Sequence, residues 1–531
     1  MYKPSLPMTP KTGLEGLKEN WSYDLLSGFM VFLVALPLSL GISVASGFPP
    51  SAGIITAIIG GLLVSRINGS FLTINGPAAG LIVVILASVQ TLGEGDAMAG
   101  YRYTLAAIVV ASIIQVILGI TKMGQLSSFF PTSVAHGMLA AIGIIIIITQ
   151  THVMLGANVE SRNLFSNISQ IPHSLIHMKP DIILISFLSL LILTIWPLIN
   201  SRIPSAVIVI LIGILFAEHF NLTQSTDVSP VNYLVAIPDN FLANFYFPDF
   251  TKITRLSFWG SVLSISLIGS LETILVTSAV DKLDPYRRNS NLDRDLTAIG
   301  IGNIVAGLLG GLPMIAEIIR SSTNINNGAK TAWSNFFHGL ILLFFVVFLS
   351  SFIQKIPLAC LAALLVYTGY RLTSPKTFDN IKKIGKDQLL SFVATIIGVL
   401  ATDLLTGVAI GIFVELVINL TRGVWPSNLF KIHFTISQQA NNTFVIKLLG
   451  SALFSNILPL KTALAKLSPG DKIIFDLTDG YLVDHSVMEF LANFKRQLEE
   501  QGGQYQQVGN TIKTFSDHTL AARLMTADER K

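Results

Sequence analysis

Three short stretches of this sequence carry residues that could do chemistry in an apolar setting. Glu272 is the only charge in the 25 residues from Leu256 to Val280. A carboxylate at the middle of a membrane-length segment costs roughly 2.5–3.5 kcal/mol on insertion scales, so it is expected to face a polar cavity or a partner. There it could carry a proton or a cation; a structural ion pair inside a bundle is the alternative. The second stretch runs Leu312-Pro313-Met314-Ile315-Ala316-Glu317-Ile318-Ile319-Arg320. Gly310-Gly311 and Pro313 break one helix, and a new helix can begin just after the proline. A helix start at mid-membrane exposes free N–H groups and a positive dipole end, which suits an anion. In a merely kinked helix, Glu317 and Arg320 would instead pair at i, i+3. The third stretch, Thr73-Ile74-Asn75-Gly76-Pro77-Ala78-Ala79-Gly80, has a similar form. Its β-branched residues read as extended, and small residues then open an apolar helix. Two interrupted segments, each third in its half, are the pattern of an inverted-repeat transporter.

The elements that must hold these residues follow from composition. Of 531 residues, 51% are apolar and 12% are charged, about half the charge of a soluble domain. Cys360 is the single cysteine, which excludes a disulfide-stapled secreted domain, and a net charge of +4 is no basic patch for nucleic acid. Cutting the long uncharged runs at Pro, Gly and charges, at about 20 residues per span, gives roughly fourteen segments. They start near Leu25, Ser51, Pro77, Tyr103, Ser133, Ile182, Ile203, Ser257, Leu296, Met314, Thr331, Ile356, Gln388 and Leu404. The expectation is an α-helical polytopic membrane protein.

Charge density steps up past this region. Residues 432–531 hold 20 charges in 100, ten of each sign. The expected division is an N-terminal segment over 1–24, a transmembrane domain over 25–421 and a soluble domain over 432–531. Within the last, Thr443 to Leu449 reads as a strand, Leu458 to Leu467 as a helix and Lys472 to Leu477 as a buried strand. An amphipathic helix over Ser486 to Gln501 and a strand over Tyr505 to Val508 follow, making a small α/β domain. Basic residues gather in 282–294 and 371–386, whereas the loop from Glu218 to Arg255 is richer in acids. The positive-inside bias then places both termini in the cytoplasm of a cell-membrane protein. No signal-peptide pattern precedes the first span. His136 and His338 read as hydrogen-bonded interior histidines without metal-ligand spacing, and Asp403 as a helix-end residue. No phosphate loop or nucleophile elbow is present, so neither an enzyme nor a cofactor is expected.

The order of these motifs resembles the sulfate permease (SulP) family of anion transporters and exchangers. The matching residues are Ala35-Leu36-Pro37 with Ala45-Ser46-Gly47-Phe48-Pro49-Pro50, Asn75-Gly76-Pro77, Gly269-Ser270-Leu271-Glu272 and Gly311-Leu312-Pro313 through Arg320. Asn324-Ile325-Asn326-Asn327-Gly328-Ala329 and Thr402-Asp403-Leu404-Leu405 continue the series. The tail, with Ile473-Ile474-Phe475-Asp476-Leu477 and Val483-Asp484-His485-Ser486, resembles a STAS domain. The resemblance implies a 7+7 inverted repeat divided into core and gate. It also implies an anion site at Ala78, Ala79 and Gly80 facing Ala316, Glu317 and Ile318. Arg320 would supply positive potential and Glu272 would couple transport to Na⁺ or H⁺. A homodimer and a cytoplasmic protein partner at the STAS-like domain belong to the same set of implications. The chain departs from the family pattern at Leu38 and Ile42, where Gln and Tyr are common. It departs again at Glu317, which sets a carboxylate where small or hydroxyl residues are usual. The substrate is therefore expected to be sulfate or bicarbonate. A nucleobase permease of the same fold and a membrane-bound anion sensor are the alternatives.

Overall fold

The computed structural model of the chain describes residues 9–124, 130–157, 164–200, 203–222, 233–236, 245–439, 442–464, 466–467, 470–500 and 502–526. Of the expected outer loop, residues 223–232 and 237–244 lie outside the described residues, as do 1–8 and 527–531 at the ends. Each of the fourteen expected segments finds a helix. In the first half these are α1 (Gly13–Ala45), α2 (Pro50–Ile59, continuing to Ile67), α3 (Ile82–Gly93) and α4 (Ala97–Ile120). They continue with α5 (Thr132–Met154), then α7 (Pro180–Ile199) and α8 (Ser205–His219). In the second half they are α9 (Leu256–Leu283), α10 (Leu292–Leu308), α11 (Ile318–Asn326) and α12 (Trp333–Phe348). The series closes with α13 (Leu358–Leu372), α15 (Lys386–Ala401) and α16 (Leu404–Thr421). Seven helices among the described residues are long and apolar enough to cross a membrane by themselves.

Two helices fall outside that expectation, α6 (Leu164–Ile176) and α14 (Pro375–Ile384). Both are amphipathic and much shorter than a span, so a search for membrane-length apolar runs passes over them. The first helix also begins at Gly13, earlier than Leu25, because the polar turns before the apolar run are themselves helical.

Local chemistry sets the boundaries. Asp96 caps α4 by accepting from the N–H groups of Met98 (2.9 Å) and Ala99 (3.0 Å). Asp403 caps α16 in the same way through Leu405 and Thr406, as a helix-end residue should. Pro50 and Pro375 occupy first-turn positions where the missing N–H costs nothing. Gly310, at φ +87°, ends α10 in a backbone conformation that side chains rarely adopt.

By internal contacts the chain falls into two compact units. One comprises the described residues up to Gly124 with Ile142–Leu372; the other comprises residues 130–141 with those from Thr373 onward. The first is centred on a continuous apolar core in which Phe32, Leu40, Ile54, Ile299, Leu342 and Leu361 are buried. The helices α2 and α12 approach closely in it, where a Cβ on Gly61 would sit 2.5 Å from the Gly339 Cα.

The second unit contains a seven-stranded sheet. Its strands are β3 (His433–Gln439), β4 (Thr443–Ala452), β5 (Lys472–Asp476), β6 (Gly480–Val483), β7 (Gln504–Val508), β8 (Lys513–Thr514) and β9 (Arg523–Leu524). The order is β7-β5-β4-β6-β9-β8, with β3 antiparallel on β4. Strands β4, β5, β6 and β7 pair in parallel, which requires crossovers such as α17 (Leu458–Leu464) and α18 (His485–Glu500). Ile446, Ile473, Phe475, Val487 and Leu491 form the core between the sheet and these helices.

Asp484, at the start of α18, accepts from the N–H groups of Val487 (2.8 Å) and Phe454 (2.6 Å). Burial outweighs both bonds and pushes its carboxyl up to about 7. The folded chain therefore holds this proton more tightly than the unfolded chain, whose Asp titrates near pH 3.9. Its stabilising contribution is complete below about pH 4 and is lost as the pH rises to about 7. Thermal unfolding of the full chain in detergent should show this slope, and Asp484→Asn should remove that part of it whatever its baseline stability. Identical pH profiles would place the carboxyl in an ordinary environment.

Candidate functional site

The two sequence breaks meet. Asn75–Pro77 forms β1 and Met314–Ala316 forms β2, and the two pair antiparallel with Asn75 opposite Ala316, Gly76 opposite Ile315 and Pro77 opposite Met314. Each strand runs directly into a half-helix. The turn Ala79–Leu81 leads into α3, and Glu317 precedes α11. At 1.5 Å per residue α3 is about 18 Å long and α11 about 14 Å, too short for the ~30 Å hydrocarbon core. At neither start does the N-cap residue's own side chain cap the helix, which leaves first-turn N–H groups to other partners.

Side-chain amides and hydroxyls fix this arrangement. Asn303 on α10 grips β2 from both sides, accepting from the Met314 N–H (2.6 Å) and donating to the Met314 carbonyl (3.1 Å). The Glu317 N–H donates to the Ile74 carbonyl (2.8 Å), and the Ile74 N–H donates to Ser321 Oγ (2.9 Å). Asn324 Nδ2 donates to the Leu72 carbonyl (2.9 Å), while Ser27 on α1 donates to Asn324 Oδ1 (2.7 Å). Each half is thus fastened to the other, and neither break can shift alone.

Three ionisable side chains converge on this crossing. Arg320 is 0% exposed, Glu272 4% and Glu317 8%. A Cβ on Gly76 would collide with Nη1 of Arg320, so the guanidinium from the second half lies against the first-half strand. A Cβ on Gly80 would likewise collide with the Glu272 carboxylate. The i, i+3 pairing of Glu317 with Arg320 is not what forms. Glu317 Oε1 instead accepts from the Ala79 N–H at 3.3 Å. None of the three Arg320 nitrogens and neither Glu272 oxygen has a hydrogen-bond partner among the described residues. An uncompensated buried ion costs several kcal/mol after relaxation, so such groups need an external partner. The arrangement can receive an oxyanion between two helix N-termini beside an arginine, and a proton or cation at the adjacent carboxylates.

All the expected site residues, Ala78, Ala79, Gly80, Ala316, Glu317, Ile318, Arg320 and Glu272, lie on these two starts or against them. His338 departs from expectation. It is fully buried on α12, yet neither ring nitrogen has a hydrogen-bond partner among the described residues. His136 is not an enclosed residue either, since it opens on a cavity of about 420 Å³ in the second unit, shared with His485 and Glu489. Sequence reasoning gave no role to the side chains of Asn75 and Asn335, although Asn335 Nδ2 donates to Asn75 Oδ1 on β1 at 3.0 Å. It also passed over Asp295, buried and bound by Thr277 (2.7 Å) and Ser70 (3.0 Å). Glu415 could have been found, because it is the only acid within Leu404 to Thr421. It is buried on α16, where it accepts from Gln388 and Ser391.

The sequence pattern of the sulfate permease family matches residues 22–395. A putative sulfate transporter of Bacillus subtilis, YvdB, is 26% identical over 502 residues, spanning 92% of this chain and 92% of that protein. The bicarbonate transporter BicA of a Picosynechococcus species is 24% identical over 402 residues, spanning 75% of this chain and 70% of BicA. The solved structure of SLC26A9 superposes with a TM-score of 0.68 at 14% identity, covering 92% of this chain and 84% of that one.

Gly76→Ala tests whether the guanidinium works where it lies. The added methyl must push Arg320 away from β1 while leaving the strand in place. The apparent KM for labelled anion uptake is expected to rise at least about tenfold, equivalent to about 1.4 kcal/mol. The thermal midpoint should move little. An unchanged KM would remove Arg320 from the anion's surroundings.

Proposed function

The chain belongs to the sulfate permease family and is an integral membrane anion transporter, and we propose that it is a secondary active carrier of a small inorganic oxyanion, driven by Na⁺ or H⁺ through Glu272. The observation that carries this reading is the fully buried, unpartnered Arg320 between two uncapped half-helix starts. A guanidinium matches an oxyanion's paired oxygens, and free N–H groups at two helix starts add donors for the rest. A neutral nucleobase gives the arginine no counter-charge, which disfavours that alternative.

Charge decides between candidate anions. With Glu317 and Glu272 ionised, one positive and two negative charges share the site. A dianion with one cation would then take the site from −1 to −2, whereas a monoanion accompanied by one cation would leave its charge unchanged at −1. Bicarbonate with Na⁺ fits that count without prior protonation; sulfate fits only when both carboxylates are neutralised. Glu317 sits at the helix start with Ala79 as its donor, which leaves Glu272 as the carboxylate to be filled and emptied during the cycle. Transport then follows alternating access, the core carrying site and anion past the gate. Residues 432–531 form a STAS-like domain in the cytoplasm, where the basic loops also place both termini.

Uptake of labelled bicarbonate and of labelled sulfate into proteoliposomes, each under a Na⁺ gradient and under a pH gradient, tests the proposal. Bicarbonate accumulation driven by Na⁺ is expected, with Glu272→Gln reducing driven uptake at least about tenfold, the equivalent of some 1.4 kcal/mol. Driven uptake in Glu272→Gln equal to the parent's would take the coupling role from that residue. Saturable binding without turnover would make the protein a sensor instead.

A further inference from the structure

A second cavity, of about 470 Å³, lies at the ends of the membrane helices in the first unit. Its walls come from the start of α1, from Ser65 and Arg66 in the last turn of α2 with residues 68–71 beyond it, from Asn289, Asn291 and Arg294 around the start of α10, and from residues 331–333 at the start of α12. Two of its lining residues are basic, Arg66 and Arg294, and none is acidic. We propose that this cavity is a second oxyanion site, one that takes the phosphate group of an organic phosphate ester.

The two guanidinium groups are held ready for such a ligand. Arg66 lies flat on Trp333, with Cζ 3.6 Å from the ring centroid, and reaches Phe336 at 5.3 Å. Its Nε donates to Ser65 Oγ at 3.2 Å. Arg294 Nε donates to the Ile67 carbonyl at 3.0 Å. Both side chains are therefore anchored through Nε or the guanidinium face, which leaves their terminal N–H groups to form the paired bonds that phosphate oxygens accept. The amides of Asn289 and Asn291 also line the cavity and add neutral donors.

Among the described residues no carboxylate hydrogen-bonds to either arginine, although Asp24 lies near enough to Arg66 to act on its charge. Asp24, behind Thr331, accepts from the N–H groups of Lys330 (2.8 Å) and Thr331 (3.1 Å) and from the Thr331 hydroxyl (2.5 Å). Asp295, behind Gly69, is bound by Gly69, Ser70 and Thr277. Asp293 accepts from the Gly124 N–H at 2.7 Å. The volume lies in the ~300–1,000 Å³ range of small-molecule sites and leaves room for the organic part of an ester beside its phosphate.

A phosphate ester at this place could belong to a lipid headgroup or to a soluble metabolite. The full chain in dodecyl maltoside, a detergent without phosphate, is therefore titrated with dioctanoyl phosphatidylglycerol in one arm and glycerol 3-phosphate in the other. The expected result is saturable binding of at least one probe, weakened at least about tenfold by Arg66→Gln and by Arg294→Gln and falling with added salt. Preference for the lipid identifies a headgroup as the source, and preference for glycerol 3-phosphate identifies a soluble ester. Arg294 is exposed, so Arg294→Gln keeps the test valid even where Arg66→Gln disturbs packing. Binding of neither probe, or equal binding by parent and variants, would overturn the proposal.

Discussion

A fully buried arginine without a hydrogen-bond partner among the described residues is the constraint around which this molecule is arranged. Neither the lipid nor the apolar core can satisfy the Arg320 guanidinium, and Glu317, close enough to offset part of its charge, gives its hydrogen bond to the Ala79 N–H instead. Its position against Gly76 is possible only because that residue lacks a side chain and because β1 and β2 lock the two half-helices in register. Long helices elsewhere satisfy their own backbones. Here the backbone is broken twice, and the N–H groups released face one shared site.

The polar residues behind this crossing act on it through the backbone. Asn303 holds both polar groups of Met314, Ser321 and Asn324 hold the strand before β1, and Asn335 holds Asn75. A π-helical turn at Gly60–Val64 brings α2 up to the same strand, where a Cβ on Gly60 would sit 2.6 Å from the Asn75 carbonyl oxygen. The resulting scaffold fixes the backbone at the crossing and leaves the Arg320 and Glu272 side chains beside it without hydrogen-bond partners among the described residues.

Much of this was legible in the sequence because lipid imposes simple rules. Uncharged runs gave the fourteen segments, and Gly76-Pro77 and Gly311-Leu312-Pro313 marked both breaks. The lone acid Glu272 pointed to the site since a mid-span carboxylate is costly unless it is used. What stayed hidden depends on pairing in space. The Asn75–Asn335 bond spans 260 positions, and no spacing announces it. His338 looked ordinary because a histidine in an apolar run carries no sign of whether its nitrogens find partners. Helices α6 and α14 are amphipathic and short. Strand β3, almost wholly exposed, lacks the alternation that reveals a half-buried strand. The buried strand β5 and the amphipathic helix α18 were both readable.

Anion-dependent stabilisation, compared between the parent protein and Arg320→Gln, tests the role of the buried arginine most directly. Removing a buried, unpaired charge should not unfold the chain, so the variant is expected to remain intact. Thermal unfolding followed across a titration of bicarbonate, and separately of sulfate, reads anion binding without requiring transport. The midpoint of the parent should climb with anion concentration while that of Arg320→Gln stays flat. An equal climb in both proteins would mean that the anion binds elsewhere and that the buried arginine serves another purpose.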